Sequence, residues 1–338
     1  MNDLIYITNI PAFYKINLFN EISRFRKIKV IFTHDTSKQR NSDFYKGDRK
    51  FEFASISNKT FIGKLTFIYH LLKKEPYQQL IIGGCGWSQL ILWIAAFLSS
   101  KKKNGFIVES SIIESKTTGL KGLIKKIFIS RISKAYVSGK SQADLCKSLN
   151  FKGQYIVTKG VGIFNIQPQP VYKEKTSVRN FIYVGRLSPE KNLRFLIETF
   201  NQLSNLILNI VGFGPEESFL KSIAKSNIIF HGAIPNAELY KIYATNDVFV
   251  LPSTSEPWGL VVEEALNNGL PVIVSDKVGC AAEIINETNG LIFQLSDPEG
   301  LKKAILKLQN INYYNKIRLN ISTMDFNAIA QEQVNCYL

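Results

Sequence analysis

The chain has 338 residues, of which 45% are apolar and 20% charged, and its mean hydropathy is -0.01. This length exceeds one ordinary domain of ~100–200 residues, and the composition excludes an intrinsically disordered chain. The net charge of +15 comes from the first half: residues 1–165 hold 27 Lys and Arg against 10 Asp and Glu, whereas residues 166–338 hold 15 against 17. We therefore expect the N-terminal half to meet any anionic surface.

Three further features narrow the class of protein. The four cysteines are scattered, without CxxC spacing or a His cluster, which argues against a zinc site and a disulfide framework and predicts a cytoplasmic protein. The N-terminal sequence MNDLIYITNIPAFYK lacks the basic start and long apolar core of a signal peptide. No recognised nucleic-acid module accompanies the isoelectric point near 9.5, so no nucleic-acid partner is predicted.

The first half alternates strand-like and helix-like segments. Helices are predicted around residues 19–25, 65–72, 120–133 and 142–149, and the predicted strands are LIYITN, KIKVIFTH, QLIIGG, GFIVES, AYVSG and QYIVTKGV. This alternation is typical of βαβ units, which build a parallel sheet. The segment IQPQPVYKEKTSVRN follows, and its two prolines and lack of periodicity predict a linker.

The second half repeats the alternation. Its predicted strands are NFIYVG, LILNIVG, NIIFHG, VFVLPS, PVIVS and GLIFQ, each followed by a helix-like segment. The sequence thus predicts an α/β fold with two Rossmann-like domains that face each other across a cleft. The predicted domains cover residues 1–165 and 166–322, and residues 323–338 form a C-terminal helix packed back on the N-terminal domain.

One segment offers an alternative class. Residues 76–100 contain no charged residue and are followed by three lysines, which is the profile of a membrane span. Gly83, Gly84 and Gly86 divide this segment into a short strand and an apolar stretch that begins at Ser88. We therefore favour a strand, a turn and a buried helix, and keep the membrane-spanning protein as the alternative.

The most informative stretch is EPWGLVVEEALNNGLPVIVS, which begins at Glu256. Gly259 is predicted to lead into a helix, whose first unpaired N–H groups and dipole form an anion site. Glu256 lies before this helix and Glu264 inside it, so the two carboxylates can flank a bound diphosphate. Glu263 is expected to point elsewhere. Each glutamate, taken alone, also fits an ordinary role in compensating the helix dipole.

A second stretch, VGRLSPEKN, gathers two cations where a strand ends. The strand runs into Gly185, Arg186 leaves the edge of the sheet, and Lys191 is placed in the first turn of the next helix, with Ser188 as its predicted cap. Ligands of open α/β sheets bind at the carboxyl ends of strands, and a pair of cations there suits a diphosphate. Lys191 alone fits a solvated helix position equally well.

These two stretches, in this order, resemble the glycosyltransferases of family 4, which have the GT-B fold. Glu256 and Glu264 look like the E-x7-E motif of that family, and Arg186 and Lys191 look like its diphosphate-binding basic pair. The resemblance extends over about residues 181–295 and is weaker in the N-terminal half. It implies that the C-terminal domain binds a nucleotide-diphosphate sugar, UDP- or GDP-linked, and that the N-terminal domain binds the acceptor.

The resemblance also assigns individual contacts. It implies that Glu256 holds hydroxyls of the donor sugar and Glu264 those of the ribose. Backbone N–H groups near Gly259 and Leu260 are implied to bind the phosphate, and Ile234 the edge of the base. Trp258 departs from the phenylalanine more usual at its position, which leaves the donor sugar open.

The chemistry follows from the same residues. The sequence has no DxD motif and hence no evident site for a divalent metal, so we expect cationic side chains and a helix terminus to neutralise the leaving diphosphate, with no cofactor. The resemblance implies a retaining, front-face transfer. His231 ends an apolar strand and is interpreted as structural. A Rossmann oxidoreductase lacks the full GxGxxG signature here, whereas an epimerase with the GT-B fold stays open as an alternative.

Candidates for the acceptor side lie in the N-terminal half. The loop after the first strand contains Pro11, Tyr14 and Lys15, and the strand GFIVES ends at Glu109. Both positions are at carboxyl ends of predicted strands and face the predicted cleft. Glu109 is the candidate catalytic residue on this side, and an ordinary ion-paired glutamate is an equal alternative.

The segment LKGLIKKIFISRISK, residues 120–134, indicates where the protein acts. At helical spacing it presents a basic face beside an apolar one, which fits either a helix packed on its own domain or docking to an anionic membrane. The excess charge of the N-terminal half favours docking. We therefore predict a peripheral protein on the cytoplasmic face of a bacterial membrane that glycosylates a saccharide, lipid-linked, for a surface polysaccharide.

Overall fold

The computed structural model describes residues 1–36, 42–45, 47–83 and 90–338. The chain divides into two compact units. The first contains Met1–Phe164 together with Ala328–Leu338, and the second contains Asn165–Asn327. The chain thus passes from the first unit into the second and returns to the first for its last residues.

The first unit is built on a parallel sheet of seven strands. The strands are β1 (Asn2–Thr8), β2 (Ile28–Phe32), β3 (Glu52–Ser55), β4 (Tyr77–Gly83), β5 (Asn104–Val108), β6 (Lys134–Val137) and β7 (Gln154–Val157). They lie in the order β3-β2-β1-β4-β5-β6-β7. This is the Rossmann order, which reverses direction between β1 and β4.

Helices cover this sheet. They are α1 (Phe13–Ser23), α2 (Phe61–Lys74), α3 (Leu90–Leu98), α4 (Gly119–Ile129), α5 (Lys140–Ser148) and, from the end of the chain, α13 (Phe326–Asn335). Alternate residues of β1 and β4, such as Ile5 and Ile82, join α2, α3, α4 and α5 in one apolar core. Because both faces of a parallel sheet are covered, its central strands are nearly continuous apolar runs, and this is why the sequence revealed them.

The second unit repeats the design with six parallel strands. The strands are β8 (Asn180–Val184), β9 (Ile207–Val211), β10 (Ile228–Gly232), β11 (Val248–Leu251), β12 (Val272–Ser275) and β13 (Gly290–Phe293), in the order β10-β9-β8-β11-β12-β13. The helices are α6 (Leu193–Phe200), α7 (Glu217–Ile223), α8 (Leu239–Tyr243), α9 (Leu260–Asn267), α10 (Ala281–Ile284), α11 (Gly300–Leu308) and α12 (Ile311–Ile321). The predicted α/β class with two Rossmann-like units is therefore confirmed.

Several local predictions are corrected. Tyr14 and Lys15 were placed in a loop, but α1 already begins at Phe13, directly after its N-cap Ala12. Pro11 fixes the backbone just before this cap, so the helix starts earlier than the apolar pattern suggested. Strand β3 and helix α12 were not predicted, and α4 ends at Ile129 instead of continuing to residue 133.

The segment predicted as a linker has no regular secondary structure, but it is held against the second unit. Asp247 is buried and accepts hydrogen bonds from the backbone N–H groups of Arg179 and Asn180, each at 2.9 Å. The Lys175 ammonium lies 2.6 Å from the same carboxylate. Earlier in this segment, the backbone N–H of Gln167 donates to the Asn267 side-chain oxygen, and the Asn267 amide group donates to the Gln167 carbonyl. Side-chain partners distant in sequence thus order a segment without periodicity.

The described part of residues 76–100 contains β4 and the nine-residue helix α3. Gly84, Gly86 and Ser88, on which the predicted turn and helix start depended, lie outside the described residues. Across the described ranges, no helix combines the length and the apolar character that crossing a membrane requires.

We predict that Asp247→Ala lowers the free energy of unfolding by about 2–4 kcal/mol, because it removes a buried carboxylate that accepts from two backbone N–H groups and from the Lys175 ammonium. Chemical denaturation followed by circular dichroism measures this change. Glu238→Ala is the control, since its exposed carboxylate contacts only Lys241 at 3.6 Å, and exposed pairs contribute at most ~1 kcal/mol. Equal effects of the two substitutions would contradict the prediction.

Candidate functional site

The strand order of the second unit places two loops side by side. β8 pairs with both β9 and β11, so the order reverses direction between β8 and β11. Loops that leave neighbouring parallel strands at such a point diverge and open a crevice where ligands bind. Residues 185–192 follow β8 and residues 252–259 follow β11. Both stretches singled out in the sequence therefore lie at this switch point.

The loop after β8 differs in detail from its prediction. Lys191 belongs to a separate 3-10 turn, Pro189–Lys191, and α6 begins only at Leu193. Asn192 separates the two with a left-handed backbone, φ 57°, and its side chain donates to the Pro252 carbonyl at 3.2 Å. Ser188 does not cap the helix, because its hydroxyl donates to Glu190 at 2.7 Å.

The two predicted cations, Arg186 and Lys191, each form an ion pair with a glutamate. The Lys191 ammonium pairs with the Glu256 carboxylate, and the two side chains are only 12% and 15% exposed. Arg186 contacts Glu190 at 3.0 Å. Burial raises the pKa of Glu190, but the Ser188 hydroxyl and the Arg186 charge outweigh it and lower that pKa overall. The structure thus brings Lys191 and Glu256 together and adds Glu190, which the sequence offered only as a neighbour in the same motif.

The turn into α9 leaves backbone donors uncapped. Gly259 adopts φ 101°, and a Cβ there would lie 3.0 Å from Val278, so the position requires glycine. Among the described residues, no side chain caps the first N–H groups of α9, the helix that begins at Leu260. The preceding loop is fixed by hydrogen bonds from Gly279 to the Glu256 carbonyl and from Cys280 to the Trp258 carbonyl, both 2.8 Å. The result is a rigid turn whose free N–H groups suit an anion.

The two carboxylates on α9 are not alike. Glu264 is partly exposed, and burial together with the neighbouring Glu263 raises its pKa to about 8. Glu263 is 3% exposed and accepts a hydrogen bond from the Trp258 indole at 2.7 Å. Burial raises the pKa of Glu263 to about 7, although the indole hydrogen bond acts in the opposite direction. Glu263 therefore points to the Trp258 indole whereas Glu264 is partly exposed, so the two neighbouring carboxylates point to different surroundings.

Three buried hydroxyls of the second unit have no hydrogen-bond partner among the residues that the structure describes. They belong to Ser253 and Ser255, in the loop after β11, and to Tyr243 in α8. Tyr243 lies near enough to Glu264 that this carboxylate, after burial, raises the pKa of the phenol. Buried polar groups are paired in most proteins, so these hydroxyls are exceptions. The sequence did not single out Ser255 or Tyr243, because Ser and Tyr are common in apolar segments.

Ile234 and His231 lie at or beyond the end of β10. Ile234 is half-buried in the segment that follows the strand. The His231 ring bonds the Asn209 side chain at 2.8 Å, and burial lowers the pKa of the imidazole. A neutral ring held by a neighbouring strand fits the structural interpretation of this histidine.

Two of the N-terminal candidates, Lys15 and Glu109, meet near the carboxyl ends of the central strands of the first unit. Lys15, at the start of α1, pairs with Glu109 at the end of β5, although 94 positions separate them. The Lys15 ammonium also donates to Thr8 at 3.2 Å and Asn9 at 3.1 Å. Burial lowers the pKa of Lys15, but the Glu109 carboxylate outweighs it and raises that pKa overall. Lys15 and Glu109 line a small cavity, to whose lining Tyr337 also contributes.

The other two N-terminal candidates differ from Lys15. Tyr14 packs edge-on against Phe13 and Phe44 with ring centroids 5.7 and 5.9 Å apart, and its carbonyl accepts from Ile163. Pro11 is buried just before α1. The Tyr14 phenol also contributes, after Glu109, to raising the pKa of Lys15, so Tyr14 lies near the Lys15–Glu109 pair. Within the described ranges, no three His, Cys, Asp or Glu side chains form a group that could hold a metal ion.

Comparison with known proteins indicates which protein family the second unit resembles. Residues 167–322 match the family model described as glycosyl transferases group 1. This part of the chain is therefore similar to the glycosyl transferases of group 1, and it is called the group 1 domain below. The domain contains Arg186, Lys191, Ile234, Glu256 and Glu264, so every candidate for the donor side lies within it.

Curated relatives match this group 1 domain over part of their length. A sulfoquinovosyl transferase of Arabidopsis thaliana is 34% identical over 131 residues, a match that covers 38% of the present chain and 26% of the plant protein. An uncharacterized glycosyltransferase of Methanocaldococcus jannaschii is 28% identical over 170 residues, covering 46% and 44% of the two chains. The chain thus spans less than half of the length of these relatives.

Solved structures match the whole chain. A lipopolysaccharide outer core galactosyltransferase, WaaB, superposes with a TM-score of 0.72 at 14% identity and covers 99% of this chain and 100% of its own. Anabaena HepE in complex with UDP and glucose gives 0.72 at 14% identity and covers 98% of both chains. The likeness concerns the fold, and it confirms the predicted GT-B class for the group 1 domain and the unit that precedes it.

We predict that the group 1 domain loses stability as the pH rises from about 5 to about 8. The folded chain retains protons on Glu263 and Glu264 that the unfolded chain releases near 4.5, so the unfolded state binds fewer protons in this window. Urea unfolding at several pH values measures the slope. Glu264→Gln should reduce the loss by a few kcal/mol, since one pKa unit corresponds to ~1.4 kcal/mol. If the free energy of unfolding fell with pH equally steeply in the wild type and in Glu264→Gln, the prediction would be contradicted.

Proposed function

We propose that the chain is a glycosyltransferase that moves a sugar from a nucleotide-diphosphate sugar to a saccharide acceptor. The observation that carries this proposal is the meeting of Lys191, Glu256 and the uncapped start of α9 at the switch point of a glycosyl transferases group 1 domain. A diphosphate needs cations and N–H donors, and a sugar needs acceptors for its hydroxyls. Both kinds of group converge here.

Each residue receives a role in this proposal. The N–H groups of Gly259 and Leu260 and the side chains of Arg186 and Lys191 bind the diphosphate. Glu256 accepts hydrogen bonds from sugar hydroxyls. In the unliganded protein the carboxylates of Glu190 and Glu256 hold the two cations near the position that the diphosphate requires, which limits the side-chain entropy lost on binding.

Other residues are proposed to contact the nucleoside, which is joined to the diphosphate at the end opposite to the sugar. Glu264 accepts hydrogen bonds from the ribose hydroxyls, and backbone near Ile234 meets the base. The buried Tyr243 phenol lies beside Glu264 and adds a donor or acceptor for the same ribose. The nucleotide is UDP or GDP. A UDP complex of HepE, whose fold is shared, supports the first of the two.

We further propose a retaining, metal-independent transfer. The leaving phosphate oxygen takes the proton of the acceptor hydroxyl, while Arg186, Lys191 and the start of α9 stabilise the charge that develops on the diphosphate. Arg186, Lys191 and Glu256 act on the donor in this scheme. Glu109 is the catalytic candidate on the acceptor side, where Lys15 orients its carboxylate. Transfer is favoured over epimerisation because the relatives and neighbours named above are transferases.

The acceptor is proposed to be a lipid-linked saccharide in surface polysaccharide synthesis, reached at the cytoplasmic face of the membrane. On α4, the inward side chains are Phe128 and Ile129. Leu120, Leu123 and Ile127 stay 71%, 54% and 50% exposed, at the spacing of one helical stripe. A helix that only packed on its own domain would bury such a stripe, so its exposure favours the docking alternative.

Basic side chains and a further exposed apolar side chain lie on α4 or in the segment before it. Lys121, Lys125 and Lys126 lie on α4, and Ile113 just before it is 51% exposed. Basic residues contribute up to ~1 kcal/mol each near an anionic leaflet, so a few of them together with a shallow apolar stripe suffice for reversible binding. The charge excess of residues 1–165 supports anionic lipid as the partner.

For donor binding, we predict that Glu264→Ala and Arg186→Ala each weaken binding of UDP or GDP about 10- to 100-fold, because hydrogen bonds to charged groups contribute ~1.5–3 kcal/mol. Isothermal titration calorimetry measures the dissociation constants. Glu287→Ala and Arg194→Ala are the matched controls, with side chains 86% and 67% exposed in the same unit. Equal losses in controls and site variants would refute the assignment.

For the metal, we predict that transferase activity survives EDTA, because cationic side chains and a helix terminus neutralise the leaving group. The assay measures release of the nucleoside diphosphate from the nucleotide sugar, with and without added acceptor. Loss of activity that manganese or magnesium specifically restores would show that a divalent ion supplies this charge instead.

For the membrane, we predict that the chain co-sediments with vesicles containing anionic lipid, less so as salt rises, and that replacing Lys121, Lys125 and Lys126 by Gln weakens this binding at least fivefold. The control is the same replacement at Lys302, Lys303 and Lys307 on α11 of the second unit. Equal binding to neutral vesicles, or equal effects of both triple variants, would remove the membrane proposal and leave the transferase proposal standing.

A further inference from the structure

Trp258 and Glu263 form a buried pair beside the proposed diphosphate site. Trp258 is 2% exposed and Glu263 3% exposed, and the indole N–H donates to the carboxylate at 2.7 Å. Five positions separate them, so the bond spans the turn at Gly259 and ties the loop before α9 to the first turn of this helix.

Each member of the pair needs the other. A buried indole N–H or carboxylate without a partner costs ~1–3 kcal/mol or more in desolvation. A phenylalanine in place of Trp258 would leave Glu263 without its donor, and an apolar residue in place of Glu263 would leave the indole without its acceptor. The two residues are therefore coupled, and their joint presence is explained by the bond between them.

The loop that this bond fixes carries the groups that bind the ligand. Glu256 and the turn at Gly259 lie on either side of Trp258, and the backbone on this stretch already bonds to Gly279 and Cys280. These backbone bonds fix the loop against the segment after β12, whereas the side-chain bond fixes it against α9. Only both sets together define where the N–H groups at the start of α9 lie relative to the Glu256 carboxylate.

We propose that Glu263 is a positioning residue: through Trp258 it sets the geometry of the turn whose N–H groups and Glu256 carboxylate bind the donor. This inference rests on the proposed function. Glu263 touches no substrate in this role, so its replacement changes nucleotide affinity by displacing the turn. Its effect must therefore depend on Trp258, unlike that of Glu264, which acts on the ligand directly.

A double-mutant cycle tests this coupling, with UDP and GDP as probes in calorimetry at a temperature well below the melting of every variant. Glu263→Leu and Trp258→Phe should each weaken nucleotide binding at least fivefold, and the double variant should lose no more than the weaker-binding single variant. Glu263→Gln keeps an oxygen acceptor for the indole and should bind within about twofold of the wild type. Glu287→Gln, at an exposed position, is the control.

Two outcomes would overturn the positioning role. In one, the affinity losses of the two single variants add up in the double variant. In the other, the single variants melt at a lower temperature but bind the nucleotide as the wild type does. If Glu263→Leu does not fold, the comparison of Trp258→Phe with Glu263→Gln decides: equal affinities overturn the proposal, and weaker binding of the former alone supports it. A wild-type chain that binds neither nucleotide contradicts the proposed function itself, an outcome distinct from an altered pattern among the variants.

Discussion

The Lys191–Glu256 ion pair joins the two loops on which the donor site depends. One loop leaves β8 and the other leaves β11, and the pair is nearly buried between them. Asn192 adds a second link through the Pro252 carbonyl, and Thr254 a third through the Glu190 carbonyl at 2.9 Å. Because buried charges require a partner, this pair holds the two loops against each other.

The strand order makes this meeting possible. In both units the order reverses direction beside the first strand, at β1 and β4 in one and at β8 and β11 in the other. Each reversal opens a crevice at the carboxyl ends of the strands, and each crevice contains one buried lysine paired with a glutamate that is distant in sequence. The two pairs differ in surroundings. Lys15 and Glu109 line a cavity together with aromatic side chains such as Tyr136 and Tyr337, whereas Lys191 and Glu256 lie in the loops beside the N-terminus of α9.

The last residues of the chain belong to this arrangement. The Tyr337 ring stacks on Tyr136 with centroids 4.9 Å apart, and its carbonyl accepts from Arg26 at 2.7 Å. Tyr337 also forms a wall of the cavity beneath Lys15 and Glu109. Because α13 follows the second unit in sequence but packs in the first, the group 1 domain lies between two segments of the unit that holds the acceptor-side candidates.

The sequence by itself determined the class of fold and singled out the charged candidates for the donor side. Buried parallel strands are continuous apolar runs, and Arg186, Lys191, Glu256 and Glu264 stand at fixed spacings around glycine turns, so local patterns revealed them. Only the tertiary structure decided which charges pair, because Lys15 with Glu109 and Lys191 with Glu256 are contacts between segments far apart in the chain. It also decided that Glu263 faces inward, since the partner that stabilises a buried carboxylate is a matter of packing, which a helical period does not encode.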